Sequence, residues 1–487
     1  MNFNRRQLFV AVVALGLSWG VCAAEGPDLP DIGDSAGSVI SPEQERRIGE
    51  EVMRELRRLA PVVTDDEVED YIQEVGNSLS KFANYDQNFH FFMLESPVIN
   101  AFAVPGGVVA VHTGLLLDTE TESELASVLG HEISHVTQRH GARSIEAQSH
   151  MTVPMVASLV AAIALAAVNP QAGAAAMMAG QAAAQQHVLN FTRENEKEAD
   201  ALGQQLMEKA GYDTQKMAVF FERMQRATRY NDPAFIPEYL RSHPITVNRI
   251  AEARNRAARS HQEIIREDSF KYFLIKAKLR VMADPDPMQG VRYFQEQLAK
   301  GEYVQEEVAR YGYALGLTEA GDFDKARVEV NKLIAQFPEV VAFRIAAGHI
   351  EQKANRFAAA LPHIEKAYRL EPEGRAAVYG YINALLLVDR AEEAKSLLGK
   401  YGFAERRDPK YYKLLADAEN RLGQNADAHH SLAEYYLSVG EFPYAAEQLR
   451  IARESPGLSN YQRQKIVARL EEVEDTMQKL EIDQRRR

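Results

Sequence analysis

A 34-residue echo in the second half of the chain restricts its fold more than any other feature. Ala326, Ala360, Ala394 and Ala428 follow one another at steps of 34 residues, and Pro338 to Pro372 repeats the step. The phrases around them agree: "GDFDKA", "NRFAAA", "DRAEEA", "GQNADA", then "GEFPYA". A fixed period of this length, with a small residue in one helix and Pro at its end, marks stacked helix pairs that bury their apolar faces only against neighbouring pairs. "FKYFLIKAKLRVMA" and "PMQGVRYFQEQLAKG" read as a degenerate first pair. Two departures stand out. The Pro expected after "DRAEEA" is absent, and Ala445 follows Ala428 by 17 residues, which reads as one helix shared between units. The expected solenoid occupies 268–482 and is closed by a polar helix ending near Leu480.

A solenoid of this tetratricopeptide type leaves room for at least one other domain in 487 residues. The 56 basic and 69 acidic residues give a net charge of -13, which argues against a phosphate-binding surface and excludes nucleic acid as an expected partner. At the start, Arg5 and Arg6 precede an apolar run from Leu8 to Val21 and then small residues, the layout of a secretory signal peptide cleaved after Ala24. Trp19, Gly20 and Val21 are a poor lead-in to lipidation at Cys22. Cleavage removes the single Cys, so the mature chain has no disulfide although it is exported, and a bacterial periplasm fits.

Residues 25–41 form an extended lead-in, and a domain is expected over 42–262. Ser41 and Gln44 fit a capping box with Pro42 at the first helical position, and Ile48, Val52 and Leu56 recur at helical spacing. "FHFFMLES" and "GVVAVHTG" are β-prone runs, with Pro105, Gly106 and Gly107 marking a turn between them. A second capping box, Thr121 with Glu124, opens a helix whose apolar face is Leu125, Val128, Leu129, Ile133 and Val136. Residues 151–186 are rich in Ala and Met. Their apolar run from Val153 to Val168 is shorter than the roughly 20 residues of a membrane span, so a helical lid or hairpin is expected, with peripheral membrane contact as the alternative.

The second of these helices carries "GHEISH". Residues four apart share a helix face, so His131 and His135 can offer ring nitrogens to one ion. Glu132 stands beside them, placed to take a proton from a water acidified by that ion. A third ligand is needed, and "NFTRENEKEAD" supplies carboxylates about 60 residues further on. Glu196 is the first choice and Glu198 the second, with Asp200 one turn beyond Glu196 as a supporting residue. His140 and His150 read as ordinary polar histidines.

"GHEISH", "ENEKEAD" and "SHPITVNRI", in this order, resemble the M48 family of zinc metallopeptidases. The resemblance implies a mainly α chain: a zincin-like α+β metallopeptidase domain with a small sheet, followed by an α-helical solenoid. It implies one Zn2+ per chain held by His131, His135 and Glu196, with Glu132 as general base. Asn100, Ala101 and Phe102 would lie on the edge strand that pairs with substrate backbone. Two further expectations concern "SHPITVNRI": Arg249 would stabilise the oxyanion, and His243 would approach the fourth zinc position and keep the enzyme latent. With the leader and the repeats, the resemblance implies a periplasmic endopeptidase acting on stalled outer-membrane β-barrel proteins. The solenoid would bind these clients or their assembly machinery. The alternative is a chaperone or assembly scaffold in which proteolysis is incidental.

Overall fold

The computed structural model describes residues 40–146, 193–230, 237–260, 262, 265–401 and 408–485. The expected leader, the 151–186 segment and His150 lie outside the described residues.

Helix α1 (Pro42–Leu59) opens with the full capping box: Gln44 N–H donates to Ser41 Oγ, and Ser41 N–H donates back to Gln44 Oε1. Helix α2 (Asp66–Ser80) follows, capped by Asp65. Strands β1 (His90–Leu94), β2 (Ala101–Val104) and β3 (Val108–His112) form one sheet in the order β1-β3-β2, with β1 parallel and β2 antiparallel to β3. The β2–β3 turn uses the left-handed region at Gly106 (φ 91°), where a Cβ would also lie 2.4 Å from the Glu45 carbonyl oxygen.

Side-chain alternation divides the strands between two cores. Phe91, Met93, Ala101, Ala103, Val109 and Val111 join α2 in the larger core. Phe92, Leu94, Val104, Val108 and Ala110 meet Ile48, Val52 and Leu56 of α1. Both sheet faces are therefore covered, and β2 is left at an edge.

Helix α3 (Thr113–Asp118) leads into α4 (Glu122–Thr137), whose expected apolar face is buried. Its capping box is half formed. Thr121 Oγ1 accepts from Glu124 N–H, but the Glu124 carboxylate accepts from Glu120 N–H at 2.7 Å and from Arg223 at 2.8 and 2.7 Å instead of returning to Thr121. A guanidinium within reach outcompetes a neutral amide for the carboxylate. Then come α5 (His140–Glu146), α6 (Arg193–Ala210), α7 (Gln215–Tyr230), α8 (Glu238–Ser242) and α9 (Val247–Arg259). Helix α6 packs along α4, and the two backbones meet where Gly130 faces Gly203.

From Phe270 onward the described residues form twelve helices, which stack as six pairs, the first being α10 (Phe270–Met282). Ala326, Ala360, Ala394 and Ala428 are all buried, each in the second helix of its pair. Ala445 corrects one expectation. It lies in Phe442–Glu454, the first helix of a sixth pair completed by Asn460–Arg485, so no helix is shared and the 17-residue step is half a repeat.

Helix α10 belongs to two cores: Tyr272, Ile275 and Leu279 enter the core of the N-terminal domain, and Leu274, Ala277 and Val281 enter that of the solenoid. Beside it the acidic face of α2 meets the solenoid. Lys278 pairs with Asp65 and Glu67, Lys410 with Asp66, and Arg375 with Asp66 and Glu69, while Ala376 N–H donates to Asp70. From the same helix Tyr71 O–H donates to Glu122 Oε1 (3.0 Å) in the first turn of α4.

Candidate metal centre

Helix periodicity puts His131 and His135 on one face of α4, with Nε2 atoms 2.9 Å apart. The close Gly130–Gly203 crossing brings α6 near enough for Glu196 to reach both rings. Its Oε2 is 3.5 Å from His131 Nε2, and its Oε1 is 3.3 Å from His135 Nε2. His243, at the end of α8, adds Nδ1 at 2.9 Å from Glu196 Oε1 and 3.2 Å from His131 Nε2. One donor atom from each of His131, His135, Glu196 and His243 lies within 4.8 Å of the others, and all four residues are buried. Two or three imidazoles with one carboxylate suit a borderline-soft divalent ion such as zinc.

Glu132 is fully buried, and neither carboxylate oxygen has a hydrogen-bond partner; His243 Nε2 stands 3.5 Å from Oε1. Such an orphaned acid calls for an explanation in function. Burial pushes its pKa up, only partly offset by His243 and His131. Burial also drives His135 well below the ordinary range, with His131 adding to the effect, so its ring stays neutral as a ligand requires. For Glu196 burial favours the acid, but His243 and His131 prevail and hold its pKa well below the usual value.

Behind the ligand atoms stands a buried ion pair. His131 Nδ1 lies 3.0 Å from Asp200 Oδ1, and Arg249 grips the same carboxylate through Nε and Nη2, both at 2.8 Å. Arg249 Nη1 also reaches Glu196 Oε2 (2.7 Å) and donates to the Pro244 carbonyl (2.9 Å). Burial raises the Asp200 pKa, yet the hydrogen bonds from His131 and Arg249 outweigh it and keep the carboxyl low.

Two residues lie elsewhere than their sequence reading suggested. His140 is fully buried, its Nδ1 2.9 Å from His135 Nδ1 and its Nε2 3.1 Å from Glu198 Oε2. The cause is Arg139, whose left-handed φ of 54° turns the chain back after α4. Helical spacing gives no hint of this return. Glu198, the second choice for third ligand, contacts His140, and the four-residue donor cluster does not include it.

Ala101 and Phe102 lie on edge strand β2, and Asn100 immediately precedes it. His112 N–H donates to the Asn100 carbonyl (3.0 Å), so antiparallel alternation turns the main-chain groups of Ala101 and Ala103 away from β3. The Ala103 N–H faces the Glu132 carboxylate without closing a hydrogen bond. A small cleft beside this strand is lined by Ala103, Val104, Pro105, His135 and Arg139.

The fold and donor set define a metallopeptidase joined to a repeat solenoid. Residues 66–257 match Peptidase family M48, and residues 351–418 match a tetratricopeptide repeat. The chain is 34% identical over 465 residues to the Beta-barrel assembly-enhancing protease of Escherichia coli (strain K12), covering 95% of each chain. It is 34% identical over 448 residues to the protein of that name from Yersinia pestis, covering 91% of each. Metalloendopeptidase OMA1, mitochondrial, of Bos taurus is 33% identical over 165 residues, which cover 33% of this chain and 31% of that one. With such identity along almost its whole length, the chain belongs to the M48 metallopeptidases that carry tetratricopeptide repeats.

Proposed function

We propose that this protein is a periplasmic zinc endopeptidase that degrades stalled or misfolded outer-membrane β-barrel proteins, with the solenoid presenting clients or binding their assembly machinery. The observation that carries the reading is the orphaned Glu132 carboxylate beside a converging His131–His135–Glu196 donor set. Zinc, when bound, supplies Lewis acidity, which polarises a carbonyl and acidifies water. Glu132 then accepts the proton, and its burial-raised pKa suits it to hand that proton to the leaving amine. The outward main-chain groups of Ala101 and Ala103 align an extended peptide by strand addition, which reads backbone and tolerates many side chains.

For Arg249 we infer a positioning role in place of the oxyanion contact expected from sequence. Its Nε and Nη2 donate to Asp200, and its Nη1 donates to the Pro244 carbonyl and ion-pairs with Glu196, behind the ligands. His243 Nδ1 supports latency: as a fourth ligand it would complete a tetrahedral set and leave no open position. That observation also favours the second reading, an assembly scaffold with a dormant centre. The beta-barrel assembly named in the relatives supports either. Export to the periplasm rests on the leader-like N-terminus; among the described residues no helix is long and apolar enough to cross a membrane.

The deciding experiment is digestion of an unfolded β-barrel protein by wild type and by Glu132→Gln at matched zinc content. Cleavage by wild type alone supports the endopeptidase. Equal cleavage by both removes Glu132 from the chemistry. No cleavage by either favours the dormant scaffold, unless His243→Ala releases activity.

A further inference from the structure

Resting on the metallopeptidase reading, we propose that His140 and Glu198 are positioning residues that fix the tautomer of His135: His135 Nδ1–H donates to His140 Nδ1, and His140 Nε2–H donates to Glu198. A histidine that ligates through Nε2 must carry its proton on Nδ1. For His135 the atom facing Nδ1 is another ring nitrogen, His140 Nδ1, at 2.9 Å. One of the two must accept. If His140 accepts, its own proton sits on Nε2, where Glu198 Oε2 waits at 3.1 Å. Every proton in the chain then points away from the donor cluster, and both hydrogen bonds are satisfied. In the opposite sense the His135 proton moves to Nε2, toward Glu196 and His131, and that nitrogen loses the lone pair a metal needs.

The two ligand histidines are thus supported unlike one another. His131 leans directly on Asp200, which is buried and clamped by Arg249. His135 leans on a neutral intermediary whose carboxylate end is in water: the His140 side chain is fully buried and that of Glu198 is 45% exposed. Rings 5.0 Å apart at 71° keep His140 edge-on to His135, a packing that fixes which nitrogen faces which. Solvent around Glu198 weakens its share, so the outer residue matters less than the inner one.

The test is zinc affinity of the full chain, measured by competition with a chromophoric chelator at one fixed pH, for His140→Leu, His140→Gln and Glu198→Ala. Loss of an outer-shell partner typically costs about 10–100-fold in metal affinity, and this is expected for His140→Leu. His140→Gln, whose amide can accept from His135 and donate to Glu198, should stay within about 3-fold of wild type. Glu198→Ala should lose several-fold. Wild-type affinity in His140→Leu overturns the proposal, as does an equal loss in His140→Gln, which would make His140 a space-filler. Should His140→Leu not fold, Glu198→Ala decides, because that exposed side chain does not hold the core: unchanged affinity there overturns the relay. Failure of the metallopeptidase reading looks different. In that case His135→Ala would bind zinc as tightly as wild type.

Discussion

A Cβ placed on Gly203 would lie 2.9 Å from the backbone nitrogen of His131 and 3.0 Å from the Gly130 carbonyl carbon. No neighbour here is a flexible side chain that could give way, because α4 and α6 meet backbone to backbone. This contact sets how far Glu196 stands from the histidines, since Glu196 and Gly203 ride on the same helix.

Gly203→Ala should therefore push α6 outward. Overpacking of this kind costs about 1–3 kcal/mol. Displaced Glu196 would weaken metal binding at the same time. Thermal melting and bound zinc, measured on the same preparation, check this; a variant that melts lower but keeps full zinc affinity would break the link between the crossing and the site.

Asp200→Asn keeps the shape of the side chain but removes the charge that answers both His131 and Arg249. Metal affinity should fall about 10–100-fold. Leaving Arg249 short of a partner should cost about 3 kcal/mol. Arg249→Met together with Asp200→Asn should recover much of the stability and none of the affinity, which separates the two roles by denaturation and chelator competition.

The α2–solenoid contact should respond to pH. Burial is the largest influence on Glu69 and raises its pKa from 4.5 to about 7, against the pull of Arg375. Asp70 rises from 3.8 to about 6 by burial, opposed by the Ala376 N–H. Both values are higher folded than unfolded, so folding takes up protons between them. The Glu69 contribution is complete below 4.5 and is lost as pH climbs through about 7, and that of Asp70 is complete below 3.8 and is lost through about 6. Glu69→Gln, with no charge to bury, should melt above wild type in alkaline solution, by on the order of 2 kcal/mol after allowing for solvent at the carboxylate. The gap should close on acidification; a gap independent of pH would contradict the account.

Removing the metal should change stability most in wild type and least in His131→Ala. A chelator titration followed by melting reads this directly, since a ligand that binds only the folded state adds stability by mass action. Equal melting with and without chelator in wild type would show a site without appreciable affinity.

Much of this centre was legible because its signals are local. His131 and His135 are one helical turn apart, Glu196 and Asp200 likewise, and the Ser41 cap and the two strand runs each follow from a few adjacent residues. What escaped depends on chain reversal or on contacts between distant segments. The return of His140 hangs on a left-handed arginine, a conformation that nothing in "VTQRHG" dictates. The commitment of Arg249 to Asp200 follows from where α9 and α6 lie together, which no spacing encodes. Ala445 misled for another reason: small residues serve both helices of a repeat pair, so a half-period step looked like a shared helix.

The buried grouping behind α4 also has an electrical consequence. With Glu132 ionised, three carboxylates (Glu132, Glu196 and Asp200) and one guanidinium (Arg249) are enclosed, each no more than 3% exposed, beside imidazoles that carry no charge as ligands. Two negative charges are left over, the amount a single dication cancels. A monovalent ion would leave one of them uncompensated and a trivalent ion would reverse the sign, each at a cost on the order of several kcal/mol in so dry a setting. With Glu132 ionised and the ligand imidazoles neutral, electroneutrality of the compartment would favour a dication before coordination chemistry distinguishes one element from another.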